Sequence, residues 1–418
     1  MTHPITPPVA SGFSSLGIAP HLLETLAKYQ YLNPTPIQSQ AIPVAITGKD
    51  VVGIAQTGTG KTLAFGIPMI QRLYELKGRG LVVLPTRELA LQVEEALRKI
   101  GAALNLRTAV VIGGASMRTQ IIALSRDPHI IIATPGRLND HLEQRNISLA
   151  KVQIVVLDEA DRMLDMGFAP QIQRIFDLLP KERQTMLFSA TMPAEIMKMA
   201  AHHMQLPVRI EVAPQGTTAE KVTQEIFVVP KEAKARLVEK LLQEYSGTTL
   251  IFTRTKHGAK RLTQAIQSMG HTAAEIHSNR SLGQRREALD GFKSGKYRVL
   301  IATDIASRGI DVTGIELVLN FDLPTNTEDY VHRIGRTARA GAGGHAISFA
   351  MPDQRKDLRD IERLVKKTLP ISPLPELPPA RAAHHIVQPE QRPRFSRGSH
   401  RGPSTHAAPR HRRRSYSQ

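Results

Sequence analysis

The run Ile154-Val155-Val156-Leu157 leads without a polar break into Asp158, Glu159 and Asp161. A continuous stretch of β-branched and leucine side chains reads as a strand buried on both faces, as in a parallel sheet. A parallel sheet needs crossover helices, so this one stretch commits the chain to an α/β fold. Acids at the C-terminal end of such a strand lie where open α/β sheets hold ligands. Carboxylates this close repel one another unless a positive group joins them, and a metal ion is the simplest candidate. A solvated turn is the bland alternative.

With 418 residues and 41% hydrophobic side chains, the chain is long enough for two cores and a tail. It has no cysteine, which excludes disulfides, thiolate metal sites and cysteine nucleophiles, and suits a reducing cytoplasm. Met1 to Pro20 lacks a charged start followed by an apolar core, so no secretory leader is expected. No apolar run reaches the roughly 18 residues of a membrane span. The net charge of +18 points to a polyanionic partner, nucleic acid first. From Ile371 onward there are nine arginines, no lysine and two glutamates, yet residues 1–370 still hold 46 basic against 35 acidic side chains. The folded part is therefore basic in its own right.

Short apolar runs alternate with amphipathic stretches along most of the chain. Val51–Ile54, Gly80–Leu84, Thr108–Ile112, Ile130–Ala133, Val152–Leu157 and Gln184–Phe188 read as strands. A second series follows at Ile226–Val229, Thr248–Phe252, Thr272–Ile276, Val299–Ala302, Leu317–Asn320 and His345–Phe349. Helical spacing separates them, for example over Glu88–Ile100, His257–Met269 and Leu282–Lys293. Small polar residues over 211–221 read as a linker. The expected organisation is a disordered start (1–12), a first doubly wound parallel-sheet domain (13–210), the linker, a second such domain (222–370), and a disordered basic tail (371–418).

Ala55-Gln56-Thr57-Gly58-Thr59-Gly60-Lys61-Thr62 follows the first expected strand and opens a helix. This is the setting of a phosphate-binding loop, whose glycines let backbone N–H groups turn toward phosphate oxygens. Lys61 would reach the β/γ-phosphates and the Thr62 hydroxyl would ligate Mg²⁺. Asp158 then becomes the acid that holds the metal, directly or through water, and Glu159 the group that orients and deprotonates an attacking water. Ala55 stands where the general pattern has glycine. A glycine-rich turn is the alternative reading.

Asp158-Glu159-Ala160-Asp161 together with this loop resembles the DEAD-box family of ATP-dependent RNA helicases, and further motifs follow in family order. Tyr31 to Gln38 is similar to the Q motif, which implies that Gln38 reads the adenine edge, with Tyr31 packing nearby and Phe13 upstream. Pro85-Thr86-Arg87, Gly113-Gly114 and Thr134-Pro135-Gly136-Arg137 resemble the RNA-contacting motifs of the first domain. Ser189-Ala190-Thr191 resembles the motif that couples nucleotide state to RNA. In the second half, the motif ending at Thr253, the motif from Ala302 to Asp311 and the motif from His332 to Arg339 have family counterparts. They imply RNA contacts at Thr253, Thr303 and Arg308, a ribose contact at Asp311, and a bridge from His332 to the Asp158–Asp161 segment. Three positions depart from the family pattern: Leu282 for a common glutamine, Ser278 for glycine and Ala338 for glycine.

The resemblance implies two RecA-like domains and a cycle in which ATP and Mg²⁺ bind the first domain while RNA lies across both. Closure would bring Arg336 and Arg339 to the γ-phosphate as arginine fingers. The implied activity is RNA-dependent ATP hydrolysis that unwinds short duplexes or remodels ribonucleoprotein, acting in the cytoplasm, without a membrane, through a core that works as a monomer. Ribosomal-precursor or RNA-decay complexes are the expected settings. The compact core and short basic tail look most like the bacterial RhlE-type group. Two competitors use the same residues: an ATP-gated RNA clamp with little net unwinding, and a DNA helicase or translocase.

Overall fold

The computed structural model describes residues 12–56, 58–212, 222–304, 312, 314–337 and 344–379. The expected roles of Thr57, Arg308, Asp311 and Arg339, the Ala338 departure, residues 1–11, linker residues 213–221 and tail residues 380–418 lie outside the described residues.

Seven strands form the first sheet: β1 (Val51–Ile54), β2 (Arg79–Val83), β3 (Thr108–Val111), β4 (Ile130–Ala133), β5 (Val152–Asp158), β6 (Gln184–Ser189) and β7 (Val208–Glu211). They lie in the order β3-β4-β2-β5-β6-β1-β7, each pair parallel. The apolar runs alternate between two cores, one on each face. Ile154 and Val156 enter one core with Ile130, Ile132 and Met186, while Val155 and Leu157 enter the other with Ile131 and Leu187. That two-sided burial is why these strands read as continuous apolar runs rather than as polar–apolar alternation.

The second sheet comprises β8 (Val222–Val228), β9 (Thr249–Phe252), β10 (Ala273–Ile276), β11 (Val299–Ala302), β12 (Leu317–Asn320), β13 (Gly344–Ala350) and β14 (Ile371–Ser372). Its order, β10-β11-β9-β12-β13-β8-β14, repeats that of the first sheet strand for strand. Both halves are doubly wound parallel α/β units, as the sequence led us to expect.

β7 and β14 were not legible as strands. Both are edge strands: β7 is half-exposed and pairs only with β1, while β14 is two residues long and pairs with β8. Residues 371–378, expected to be disordered, are held against the second domain. The Arg236 guanidinium donates to the Pro378 carbonyl at 2.5 Å, and Leu377 packs on the core behind β9 and β12.

The two halves touch. Leu282, on the helix Leu282–Lys293 of the second half, packs against the apolar cluster of the first. One turn on, Arg285 lies 2.8 Å from Glu88, which is on the first-half helix Arg87–Ile100; both side chains are buried. Burial pushes the Glu88 carboxyl up from its ordinary value, and Arg285 opposes that shift.

Candidate functional site

The order β5-β6-β1 sets three strand ends side by side, and register aligns them: Asp158 lies beside Phe188, and Ile54 beside Ser189. Each strand then releases its functional loop at the same edge of the sheet. The loop after β1 is tied to β6, because Ala55 donates its N–H to the Ser189 carbonyl at 2.9 Å. Gly58 and Gly60 hold φ of +86° and +92°, a backbone that only glycine adopts without strain. At Gly60 the space is closed as well, since a Cβ there would meet the Gln38 amide nitrogen at 2.3 Å.

Gln38 is buried and already engaged. Its oxygen accepts from the Thr35 N–H at 2.9 Å, completing a capping box on the helix Pro36–Ile46, and its nitrogen donates to the Gly60 carbonyl at 3.0 Å. It thus braces the phosphate loop from behind, a part that the sequence did not suggest. Tyr31, expected to pack beside it, is 43% exposed.

Lys61 and Asp158 are both buried, with the ammonium 3.8 Å from a carboxylate oxygen, and the Lys61 nitrogen has no hydrogen-bond partner among the described residues. Burial, added to by repulsion from Glu159 and Asp161, pushes the Asp158 carboxyl up to about 6, against the pull of Lys61. A cation-seeking acid and an unspent ammonium stand together at the mouth of the loop that carries Thr62. Among the described residues no three His, Asp or Glu side chains cluster; the expected donors at this loop mouth are the Asp158 carboxylate and the Thr62 hydroxyl. That donor set fits Mg²⁺, which keeps several waters and shares its ligands with substrate phosphates.

Glu159 differs from its neighbour. Burial would raise its pKa, but Arg162, Lys61 and Arg336 outweigh burial and hold it down to about 2. Arg162 forms a buried ion pair with the Glu159 carboxylate one turn along the helix Ala160–Asp165. Sequence reading passed over Arg162, although its i,i+3 spacing from Glu159 was the signal to follow. Arg336 belongs to the second half and is 3% exposed; its Nε donates to the His332 carbonyl at 3.1 Å. Its charge reaching Glu159 means that the two halves share this site.

Asp161 faces β6. One of its oxygens accepts from the N–H groups of Ala190 and Thr191, at 3.1 and 2.9 Å, and from the Thr191 hydroxyl at 2.9 Å. Its own N–H donates to the Ser189 hydroxyl at 3.1 Å. Asp161 thus accepts within the first half, and His332, expected to bridge to this segment, has its Nδ1 3.9 Å from the Asp329 carboxylate. A second arginine of that motif, Arg333, is structural. It is 2% exposed and donates to Asp304, Asn320 and the Asp322 carbonyl.

The residues expected to meet RNA gather at the same strand-end edge, over β2, β3 and β4. Arg87 lies across Gly113 and Gly114: a Cβ on Gly114, where φ is +75°, would meet its guanidinium at 2.0 Å. Arg137 donates to the Ala115 carbonyl at 3.0 Å and pairs with Asp140 at 3.2 Å. Pro85, Thr134 and Pro135 are buried, and Gly136 is half-buried and open on its Cα side. Across the cleft, the Thr253 N–H donates to Ala302 at 2.9 Å and the Thr303 N–H to Ile276 at 3.3 Å, which aligns the ends of β9, β10 and β11.

Residues 35–199 match the family described as DEAD/DEAH box helicase, and residues 233–341 match the helicase conserved C-terminal domain. The chain is 42% identical over 366 residues to the ATP-dependent rRNA helicase RRP3 of Yarrowia lipolytica, covering 87% of this chain and 76% of that one. It is 44% identical over 347 residues to the rrp3 helicase of Aspergillus fumigatus, covering 82% and 74%. Among solved structures it resembles S. cerevisiae Dbp5 bound to RNA and ADP BeF3, with a TM-score of 0.78, 30% identity and coverage of 87% and 96%. It also resembles Mss116p bound to ssRNA and AMP-PNP, with a TM-score of 0.81, 27% identity and coverage of 88% and 80%. With two matched helicase domains on two parallel sheets and a nucleotide loop beside Asp158-Glu159-Ala160-Asp161, this chain belongs to the DEAD-box family of ATP-dependent RNA helicases.

Proposed function

We propose that this helicase hydrolyses ATP only when RNA has drawn its two halves together, and uses the cycle to part short duplexes or remodel ribonucleoprotein. The carrying observation is the charge of Arg336, from the second half, acting on Glu159 buried in the first. In this reading Lys61 holds the β/γ-phosphates, and the glycines from Gly58 to Gly60 present backbone N–H groups to them. Thr62 and Asp158 would hold Mg²⁺, which would supply neutralisation of phosphate charge. Glu159, held near a pKa of 2, orients the attacking water and is too acidic to be a strong base at rest. Arg336, with Arg339 as the expected second finger, stabilises charge developing in the transition state. Asp161 relays the state of this site to Ser189 and Thr191.

RNA binds across the strand ends that carry Arg87, Gly113–Gly114, Thr134–Arg137, Thr253 and Thr303, mainly by its phosphates. Low sequence preference and a strong salt dependence follow. The rRNA named for the relatives makes ribosomal-precursor RNA the leading substrate, with RNA-decay complexes second. A RhlE-type place within the family rests on the compact core and short basic tail. Work in the cytoplasm rests on the cysteine-free composition, and fractionation of cells expressing a tagged chain checks it.

The test is steady-state ATPase with Mg-ATP, with and without RNA, beside unwinding of a short RNA duplex. Stimulation of turnover by RNA together with strand release is expected. ATPase indifferent to RNA at low salt would overturn the reading. Equal stimulation by single-stranded DNA would move it to DNA. Tight ATP-dependent RNA binding without strand release would leave only a clamp.

A further inference from the structure

The first half carries a second recess, at the end of its sheet away from both the nucleotide loop and the RNA-contacting motifs. Its volume is about 300 Å³, at the lower end of what ligand pockets occupy. Leu73, Leu106 and Tyr74 give its lining an apolar and aromatic part, and Lys77, Arg79, Arg107 and Lys151 a cationic one, gathered at the strand starts. Arg79 opens β2, Arg107 comes just before β3 and Lys151 just before β5, so the cationic part belongs to the N-terminal ends of the strands. Gly113–Gly114 follow the opposite end of β3, roughly 13 Å along the strand.

In that lining four fixed cations face one acid, Asp127, which Arg79 holds at 2.5 Å. Arg107 donates to the Asp127 carbonyl at 3.0 Å, and the Lys77 ammonium sits 4.4 Å from the centre of the Tyr74 ring, which is 52% exposed. Cations beside apolar and aromatic side chains in one recess are the chemistry that takes an unpaired nucleotide: phosphate on the cations, base and sugar against the apolar part. The helix Met117–Ser125 connects the two ends, because it leaves β3 beside the RNA-contacting glycines and returns the chain to Asp127. Exposed Arg118 in its first turn and exposed Arg126 just past its last give a basic track between them.

We infer that this recess is a second RNA site, which holds an unpaired nucleotide of a flank that leaves the main RNA path past Gly113–Gly114. The inference rests on RNA lying across the C-terminal strand ends, as proposed above. It gives the helicase a way to prefer RNA that has a single-stranded extension beside the duplex it opens.

The test compares the full-length chain with a Lys77→Glu/Arg107→Glu variant on two RNAs, a strand of about ten nucleotides that fits the main path and the same strand with about ten more unpaired nucleotides. Wild type is expected to bind the longer strand several-fold more tightly. The variant loses that gain, and its log–log salt slope on the longer strand falls by about 1.4, the share of two phosphates that the protein no longer neutralises. Binding of the shorter strand and its stimulation of ATPase stay unchanged. A photo-reactive nucleotide in the extension is expected to crosslink to the peptide that contains Tyr74. Equal binding of the longer strand by both proteins overturns the inference, and so does an equal loss on both strands, which would mean a general loss of positive charge. Failure of the shorter strand to stimulate the wild-type ATPase would instead overturn the main RNA path. Thermal melting controls for folding, and Arg107→Gln/Lys151→Gln, which removes charge without reversing it, must reproduce a partial loss.

Discussion

Asp158 and Glu159 are adjacent, buried carboxylates held at opposite ends of the acid scale, at about 6 and about 2. The difference comes from partners rather than depth. Asp158 has one ammonium at 3.8 Å and two acidic neighbours, whereas Glu159 has Arg162 in direct contact and Arg336 beyond it. Glu159 also sits at a φ of +53°, which costs a non-glycine residue about 1–2 kcal/mol and turns its side chain away from that of Asp158. Glu159→Gln should therefore reduce RNA-stimulated kcat by about 100-fold or more while leaving ATP binding within a few-fold, and because it also leaves buried Arg162 without its counter-charge, thermal melting checks that the fold holds. Arg162→Ala removes the partner that lowers Glu159 most, so the Glu159 pKa rises. RNA-stimulated kcat should therefore fall, Arg162→Lys should recover part of it, and an unchanged kcat would mean that Arg162 only fills space. Away from the site, His141 is fully buried between Gln120 and Asn146, and burial, with Arg137, lowers its pKa from 6.5. The unfolded chain takes up this proton at a higher pH than the folded one, so stability is lost as pH falls through about 6.5 toward the lowered value. Urea midpoints at about pH 7.5 and 5.5 should fall less in His141→Gln than in wild type if His141 supplies part of that slope.

The adjacency of β5, β6 and β1 makes β6 the element through which the nucleotide loop and the acids communicate. Ala55 bonds to the carbonyl of Ser189, and Asp161 to its hydroxyl and to Thr191. Thr191→Val deletes one of three hydrogen bonds to the Asp161 oxygen and should leave basal ATP binding intact while lowering strand release per ATP hydrolysed. An unchanged ratio would place the coupling elsewhere. Gly60→Ala meets both a closed backbone region and Gln38, and should weaken ATP binding by about tenfold, a loss of about 1.4 kcal/mol. The central strands were legible because burial on both faces writes an unbroken apolar run, and the phosphate loop and acids were legible because their chemistry is contiguous in the chain. What escaped is what tertiary context decides. β7 carries no such run because three of its four residues are exposed or half-exposed, and β14 is only two residues long. The bracing role of Gln38 and the direction in which Asp161 faces depend on which loop stands opposite, and no local spacing encodes that.

At the scale of the molecule, two halves share the same strand order, and in the proposed reading each contributes one side of a site that neither completes. The resemblance to known motifs pointed to Arg336 and, through the departure at Leu282, put an inter-domain or RNA contact there in doubt; the structure has Leu282 on the first-half cluster and Arg285 on Glu88. Both Glu88 and Arg285 are buried, and loss of one partner from such a pair costs about 3–5 kcal/mol when the other stays buried. Arg285→Met should therefore raise the RNA concentration needed for half-maximal ATPase by tenfold or more, with thermal unfolding little changed because the pair joins the halves rather than holding either together. An unaltered RNA requirement would show that closure does not depend on this pair. The central claim is that the second half completes the catalytic site. It is met most directly by RNA-saturated turnover of Arg336→Ala: kcat should fall by about three powers of ten, the scale of an arginine finger, with ATP and RNA binding each within a few-fold of wild type. Turnover within threefold of wild type would contradict it and leave the first half a self-sufficient ATPase.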